Sequence, residues 1–129
     1  MGSYNWEHKT ILIAEDEEMN FLFMEAIIES SQASILWASN GIEAVELMKQ
    51  HPDTSLILMD IRMPEMDGIE ATLKIREFNT TVPIIAQTAY STEEDRNKCL
   101  EAGCNEYLTK PISHKVLLST IERFLSPNA

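Results

Sequence analysis

The sequence predicts an α/β fold, a doubly wound five-stranded parallel sheet with five helices. Short apolar runs alternate five times with segments in which apolar residues recur every three or four positions. These are the patterns of buried strands and amphipathic helices. Such alternation favours a parallel sheet with right-handed crossovers and helices on both faces. The length of 129 residues fits one domain whose core needs no disulfide.

The first half of the chain predicts three strands and two helices. The strands are residues 9–14, Ser34–Ala38 and Leu56–Asp60, and the helices are residues 19–28 and 42–49. The apolar residues at helical spacing that predict the first helix are Met19, Leu22, Phe23, Ala26 and Ile27. Asn40-Gly41 provides the turn into the second helix, and Pro52-Asp53 ends it.

The second half predicts three more helices and two more strands. The helices run from residue 68 to about 78, from Thr92 to Gly103 and from Ser113 to residue 125, and the strands are residues 83–88 and Glu106–Thr109. Thr92 is the expected N-cap of its helix, because acidic residues follow it where the helix dipole favours them. Residues 1–8 are expected to be a tail or the end of a linker, and residues 9–129 the domain.

Composition excludes several classes of function. The formal net charge of −11 argues against nucleic-acid binding, which needs lysine and arginine at phosphates. We find no apolar run long enough to cross a membrane and no signal-peptide core, so we expect a cytoplasmic domain without membrane insertion. Cys99 and Cys104 lack the clustered histidines of a zinc site. We expect two reduced thiols, with a disulfide or redox switch as the alternative.

Charged and hydroxyl side chains follow four of the predicted strands. In open parallel sheets, sites form at the carboxyl ends of the strands. The residues found there are Glu15 and Asp16 after the first strand, Asp60 at the end of the third, Thr88 and Ala89 at the fourth, and Lys110 after the fifth. A carboxylate that ends an apolar strand is costly unless something pairs with it. We therefore expect these side chains to meet at one edge of the sheet.

These residue types have the chemistry of a phosphoryl-transfer site. Three adjacent carboxylates repel one another, and a hard cation that prefers oxygen ligands would stabilise them. We expect this cation to be Mg²⁺, for which Mn²⁺ can substitute. Lys110 is expected to neutralise the remaining charge and to pair with Asp60. A carboxylate nucleophile, a metal, a lysine and the Thr88 hydroxyl are the parts such a site needs. The sequence has no glycine-rich loop that would bind a nucleotide in the P-loop manner.

Four motifs occur in order at these strand ends. They are ILIAEDEE, LILMDIRMPEMDG, TAYS and YLTKPI. Each is weak alone, but all four at this spacing on a five-fold strand–helix pattern are very specific. Over about residues 9–125, the sequence resembles the receiver domain of two-component response regulators. The resemblance implies a flavodoxin-like strand order, 2-1-3-4-5.

The resemblance implies a phosphoacceptor and a metal site. Asp60 would accept the phosphoryl group and become an acyl phosphate. Asp16 would bind Mg²⁺ directly, and Glu15 would do so directly or through water. Asp60 and the backbone carbonyl of Arg62 would complete the protein's share of the metal ligands.

The resemblance also implies a switch. Thr88 would hydrogen-bond the phosphoryl group, Lys110 would pair with it, and the small Ala89 would leave room for its entry. Tyr107 would be the aromatic residue that swings inward on activation. Pro111 is a candidate for a cis peptide bond after Lys110.

Partners and context follow from the same resemblance. The donor would be a phosphohistidine on a histidine kinase or a histidine phosphotransfer protein, and a partner would bind the face formed by the fourth helix, fifth strand and fifth helix. Arg62 and Tyr90 would tune the lifetime of the acyl phosphate. The domain would catalyse its own phosphorylation and dephosphorylation without being a turnover enzyme. We favour the receiver of a hybrid sensor histidine kinase, the cytoplasmic part of a membrane-bound parent, over a stand-alone regulator.

Three other functions fit parts of the pattern. A metal-dependent aspartyl phosphatase usually has a second acid two residues after its nucleophile, where this chain has Arg62. It also needs a cap-sized insertion to enclose a substrate, and the sequence shows none. A flavin carrier would need hydroxyl-rich phosphate loops after the first strand, where Glu15, Asp16 and Glu17 would repel a phosphate. A degenerate receiver that only docks remains open, although all the expected site residues are present.

Overall fold

Strands and helices alternate along the part of the chain that the computed structural model describes, residues 4–89 and 92–126. The strands are β1 (Thr10–Ala14), β2 (Ser34–Ala38), β3 (Leu56–Asp60), β4 (Ile84–Thr88) and β5 (Glu106–Thr109). The helices are α1 (Glu18–Glu29), α2 (Gly41–Gln50), α3 (Gly68–Arg76), α4 (Glu93–Ala102) and α5 (His114–Leu125). The five strands form one parallel sheet in the order β2-β1-β3-β4-β5. The predicted fold class and strand order are confirmed.

The sheet is apolar on both faces, as a parallel sheet covered by helices requires. Every residue of the central strands β3 and β4 is buried. Because side chains alternate along a strand, Ile57 and Met59 pack in the cluster that holds α2, α3 and the end of α4. Leu56 and Leu58 pack in the cluster that holds α1 and α5. The two helix layers therefore hold the strand ends in fixed positions relative to one another.

The predicted helix boundaries hold where a cap defines them. The side chains of Thr92 and Ser113 accept hydrogen bonds from backbone N–H groups in the first turns of α4 and α5. Gly103 ends α4 with a φ of 120°, a left-handed conformation that glycine adopts without strain. The other observed helix ends differ from the predicted ones by at most two residues. Helix α3, predicted to end at about residue 78, ends at Arg76.

Helix α1 is confirmed, but of the five residues that predicted it only Ile27 is buried. Met19, Leu22 and Phe23 are exposed, with 77% of Met19 accessible. The residues of α1 that are buried are Phe21, Met24, Ile27 and Ile28. The helix is apolar around most of its circumference, so its periodicity alone could not distinguish the face against the sheet from the face toward solvent.

The N-terminal segment was expected to be a tail or the end of a linker, but Tyr4 and Trp6 pack on the domain. Trp6 is only 2% exposed, and its indole Nε1–H donates to Glu122 Oε1 of α5 at 2.7 Å. Its backbone N–H donates to the Ser31 carbonyl at 2.8 Å, and Tyr4 stacks on its ring. No local pattern predicts this contact, because Glu122 lies 116 positions away along the chain. Among the described residues, no helix has both the length and the apolar character to span a membrane.

Candidate phosphoryl-transfer site

The strand order brings the ends of β1, β3, β4 and β5 together. Ala14 pairs in register with Met59, so Glu15 lies level with Asp60 on the neighbouring strand. Asp60 in turn pairs with Gln87, and Thr88 pairs with Thr109 on β5. The backbone N–H of Lys110 donates to the Thr88 carbonyl at 2.8 Å. The residues expected at one sheet edge from their positions in the sequence are therefore neighbours in space.

Three carboxylates converge at this edge. Oxygen atoms of Glu15, Asp16 and Asp60 all lie within 4.8 Å of one another. Glu15 is fully buried and Asp60 is 4% exposed, whereas Asp16 is exposed. The group therefore combines two buried carboxylates, Glu15 and Asp60, with the solvent-facing carboxylate of Asp16. All of its donor atoms are oxygens, which Mg²⁺ prefers.

The loop after β1 is anchored by an aromatic side chain. The indole N–H of Trp37 donates to the Glu15 carbonyl at 2.8 Å, and its ring stacks on Phe21 with a centroid separation of 4.4 Å. Glu15 Oε2 also accepts the backbone N–H of Glu17 at 3.2 Å. Trp37 on β2 therefore fixes the backbone of the acidic loop.

Lys110 bridges the two buried carboxylates. Its Nζ lies 3.0 Å from Glu15 Oε1 and 3.4 Å from Asp60 Oδ2. Burial lowers the pKa of Lys110, but the hydrogen bond to Glu15 and the charge of Asp60 outweigh burial, and the pKa lies above its usual value. The Lys110–Pro111 peptide bond is cis, at the position where the sequence predicts it. Lys110 is therefore held as a cation against both carboxylates.

Asp60 is a buried carboxylate whose charged form is disfavoured by its surroundings. Burial, together with the negative charge of Glu15, raises its pKa to about 7, although Lys110 opposes the shift. The backbone N–H of Arg62 donates only a long hydrogen bond, 3.4 Å, to Asp60 Oδ1. Because one lysine serves two buried acids, this site favours the binding of additional positive charge.

Gly68 is a site residue that our sequence analysis placed only at a helix start. The β3–α3 loop folds back so that the Gly68 N–H donates to the Ile61 carbonyl at 2.9 Å. A Cβ at Gly68 would lie 2.2 Å from the Asp60 carbonyl oxygen. Only glycine allows α3 to begin this close to Asp60, and the Asp67-Gly68 pair at the end of the second motif was the signal for it.

The remaining predicted site residues lie around this centre. Thr88 ends β4 and is 2% exposed, and the next residue, Ala89, is exposed. Tyr107 on β5 is half-buried, and burial raises the pKa of its hydroxyl. Arg62 is exposed and its Nη2 lies 4.0 Å from Asp95 Oδ2 of α4. Tyr90 lies outside the described residues.

A cavity of about 380 Å³ opens beside Lys110, between α1 and the start of α5. Its apolar lining includes Phe23, Met24, Ile112 and Leu117. The cavity therefore places an apolar surface beside Lys110, on the α1 side of the site. The sequence analysis did not indicate this surface, since of these four apolar residues it singled out only Phe23, as part of the periodic face of the first helix.

Comparisons with known proteins agree on one family. The family model described as the response regulator receiver domain matches residues 11–122. The polar-differentiation response regulator DivK of Brucella anthropi is 37% identical over 120 residues, which are 91% of this chain and 96% of that protein. The DivK of Brucella ovis is 38% identical with the same coverage.

Solved structures give the same result. The receiver domain of a sensor histidine kinase from Pseudomonas aeruginosa, crystallised with magnesium in its active-site cleft, matches with a TM-score of 0.85 and 38% identity, covering 92% of this chain and 98% of that one. A co-crystal structure from Saccharomyces cerevisiae contains a histidine phosphotransfer protein and the receiver domain of its downstream response regulator. It matches with a TM-score of 0.84 and 34% identity, covering 90% of this chain and 88% of that one.

Proposed function

The chain belongs to the response regulator receiver domain family, and on that premise we propose that Asp60 accepts a phosphoryl group from a phosphohistidine in a Mg²⁺-dependent step. One observation carries the proposal. The carboxylate of Asp60, at the end of β3, lies within reach of both Lys110 and the oxygens of Glu15 and Asp16. This is a nucleophile held between a cation and a group of metal ligands.

The donor set fits Mg²⁺. Glu15, Asp16 and Asp60 provide carboxylate oxygens close enough to share one ion, and a receiver domain at 38% identity was crystallised with magnesium in its active-site cleft. The backbone carbonyl of Arg62 is the fourth proposed ligand. When bound, Mg²⁺ would supply charge that offsets the incoming phosphoryl oxygens.

The protein's own residues perform the transfer. Asp60 attacks the phosphorus atom in line with the departing histidine nitrogen, which takes the bonding electron pair. Lys110 starts between Glu15 and Asp60 and pairs with a phosphoryl oxygen as charge moves to Asp60. Ala89 leaves the approach open, and the Thr88 hydroxyl donates to the bound group. Hydrolysis of the acyl phosphate reverses the state, with Arg62 and Tyr90 tuning its lifetime.

Phosphorylation then changes a surface that a partner reads. Thr88 and Tyr107 lie on adjacent strands β4 and β5, so movement of Thr88 toward the phosphoryl group would leave space that Tyr107 fills. We assign the output to the face formed by α4, β5 and α5. A phosphoryl-driven shift of an existing equilibrium in this face is sufficient.

The donor is a histidine kinase or a histidine phosphotransfer protein. Receiver domains bind such phosphotransfer proteins, as the yeast co-crystal structure illustrates. The similarity to a kinase receiver domain supports our preference for a hybrid histidine kinase as the parent, with this domain in the cytoplasm. The similarity to DivK supports the alternative of a stand-alone response regulator.

The proposal is tested by intact mass spectrometry after incubation with acetyl phosphate, with Mg²⁺ or with EDTA. We expect the mass of one phosphoryl group to be gained by the wild type and by the control Asp53→Asn, whose exposed carboxylate lies in the turn before β3, at the opposite end of that strand from Asp60. Asp60→Asn and the EDTA samples should gain none. A gain that persists in Asp60→Asn would overturn the assignment of the phosphoacceptor.

A further inference from the structure

The only two cysteines of the chain lie in contact at the end of α4. Cys99 is fully buried and Cys104 is 6% exposed. Gly103 reverses the chain between them, and the backbone N–H of Cys104 donates to the Cys99 carbonyl at 3.0 Å. Both side chains pack in the same buried cluster of the core. Neither thiol takes part in the proposed phosphoryl transfer.

The two thiols have different surroundings. The Thr72 hydroxyl lies 3.7 Å from Cys104 Sγ. The guanidinium of Arg76 crosses Gly103 and donates to the Gly103 carbonyl from both Nε and Nη2, at 3.1 and 2.8 Å. Cys104 therefore has a hydroxyl partner and lies near the Arg76 cation, whereas the charges that act on Cys99 include the carboxylate of Asp95.

This asymmetry distinguishes a nucleophile from its partner. Interaction with the Cys99 thiol lowers the pKa of Cys104, and so do the Thr72 hydroxyl and the charge of Arg76. Together these effects outweigh burial, which raises the pKa. The same thiol–thiol interaction, together with burial, raises the pKa of Cys99. Thiolates are the reactive form of cysteine, and cationic surroundings favour them.

We propose that Cys99 and Cys104 form a reversible intramolecular disulfide in response to a peroxide. The Cys104 thiolate attacks one peroxide oxygen, the O–O bond breaks, and the leaving oxygen departs as water after protonation, which leaves a sulfenic acid on Cys104. The Cys99 thiol then attacks Cys104 Sγ and gives its proton to the departing hydroxide, which leaves as a second water. The two thiols lose two electrons and two protons in total, and the peroxide gains them.

The position of the two cysteines makes the disulfide easy to reduce and places it in the proposed output face. A bond between Cys99 and Cys104 closes a very short loop, so it adds little loop-closure stabilisation and remains open to reduction. Tyr107 packs against the cluster that contains both cysteines. The bond would tie the end of α4 to the start of β5, inside the proposed output face, and this consequence alone rests on the proposed function.

The test is the reaction of the folded domain with hydrogen peroxide, followed by alkylation with N-ethylmaleimide in denaturant and intact mass spectrometry. No Mg²⁺ or phosphoryl donor is present, so the outcome is independent of the proposed function. We expect the wild type to lose two hydrogens and both alkylation sites, and dithiothreitol to restore them. Oxygen addition without loss of hydrogen, a disulfide-linked dimer, or no reaction would each overturn the proposal.

Two variants assign the order of the steps. Cys99→Ser should accumulate a sulfenic acid on Cys104 that dimedone traps. In Cys104→Ser we expect Cys99 to be oxidised at least about tenfold more slowly than Cys104 is oxidised in Cys99→Ser, because burial and the charge of Asp95 raise the pKa of the Cys99 thiol. Equal rates in the two variants would contradict the role of Cys104 as the nucleophile. The wild-type measurement decides the proposal even where a variant folds poorly.

Discussion

Lys110 Nζ lies 3.0 Å from Glu15 Oε1, closer than its 3.4 Å approach to Asp60 Oδ2. The lysine therefore holds the fully buried glutamate and the candidate phosphoacceptor at once. A single cation shared by two buried acids explains why the site is stable enough to form and still has affinity for more positive charge.

Replacing Lys110 should separate these two effects. In Lys110→Gln, Glu15 and Asp60 face each other without a cation, so we expect the unfolding free energy at pH 8 without metal to fall by about 1–3 kcal/mol. Phosphorylation by acetyl phosphate should fall at least about tenfold. Urea unfolding and intact mass measure the two effects. Lys115→Gln, at an exposed position of α5, is the control, and a similar loss in that variant would contradict a specific role for Lys110.

The raised pKa of Asp60 predicts how stability depends on pH. In the folded protein this pKa is about 7, against an ordinary value of 3.8. Between these values the folded state holds a proton that the unfolded state has lost, so the contribution to stability is complete below pH 3.8 and lost as the pH rises through about 7.

Asp60→Asn should remove this loss. Without metal at pH 8, we expect the variant to exceed the wild type by on the order of 1–3 kcal/mol, and the difference should diminish toward pH 4. Thermal unfolding in EDTA across this range measures it. Adding Mg²⁺ at pH 8 should stabilise the wild type and have much less effect on Asp60→Asn. A difference between the two proteins that does not change with pH would contradict the assigned pKa.

Gly68→Ala should destabilise the domain, although alanine normally favours a helix. Its Cβ would meet the Asp60 carbonyl oxygen at 2.2 Å, so either α3 or the end of β3 must move. We expect a loss of about 1–3 kcal/mol in urea unfolding and a lower rate of phosphorylation. Glu70→Ala, an exposed change in the same helix, should leave both nearly unchanged. A Gly68→Ala protein as stable as the wild type would show that the loop can yield.

The contact between Trp6 and α5 should contribute to stability. Trp6→Phe keeps a buried ring but loses the donor to Glu122 Oε1, so we expect a loss of about 1 kcal/mol in the unfolding free energy. Glu122→Gln, which retains an acceptor, should lose less. If Trp6→Phe matches the wild type in urea unfolding, the N-terminal segment does not stabilise the domain through this bond.

Most of the site could be predicted because the fold is periodic. Alternation of strands and helices fixes a parallel sheet, and a parallel sheet puts the residues after its strands at one edge. Glu15, Asp16, Asp60 and Lys110 were therefore predicted to meet from their positions alone, and they do. Their proposed roles come from the family and not from this periodicity.

The features that the sequence did not predict depend on contacts between distant residues. The partner of Trp6 lies on α5, and no local pattern points to it. The face that α1 buries depends on where the sheet lies, since its apolar residues surround the helix. The requirement for glycine at position 68 depends on how closely α3 approaches β3.

The most direct test of the central claim locates the phosphoryl group itself. Protein phosphorylated with acetyl phosphate and Mg²⁺ is treated with borohydride, which reduces an aspartyl phosphate to homoserine, and its peptides are sequenced by mass spectrometry. We predict conversion at Asp60 alone, with Asp16, Asp67 and the other carboxylates unchanged. Conversion at a different carboxylate, or a phosphoryl group on a hydroxyl that resists borohydride, would contradict the account.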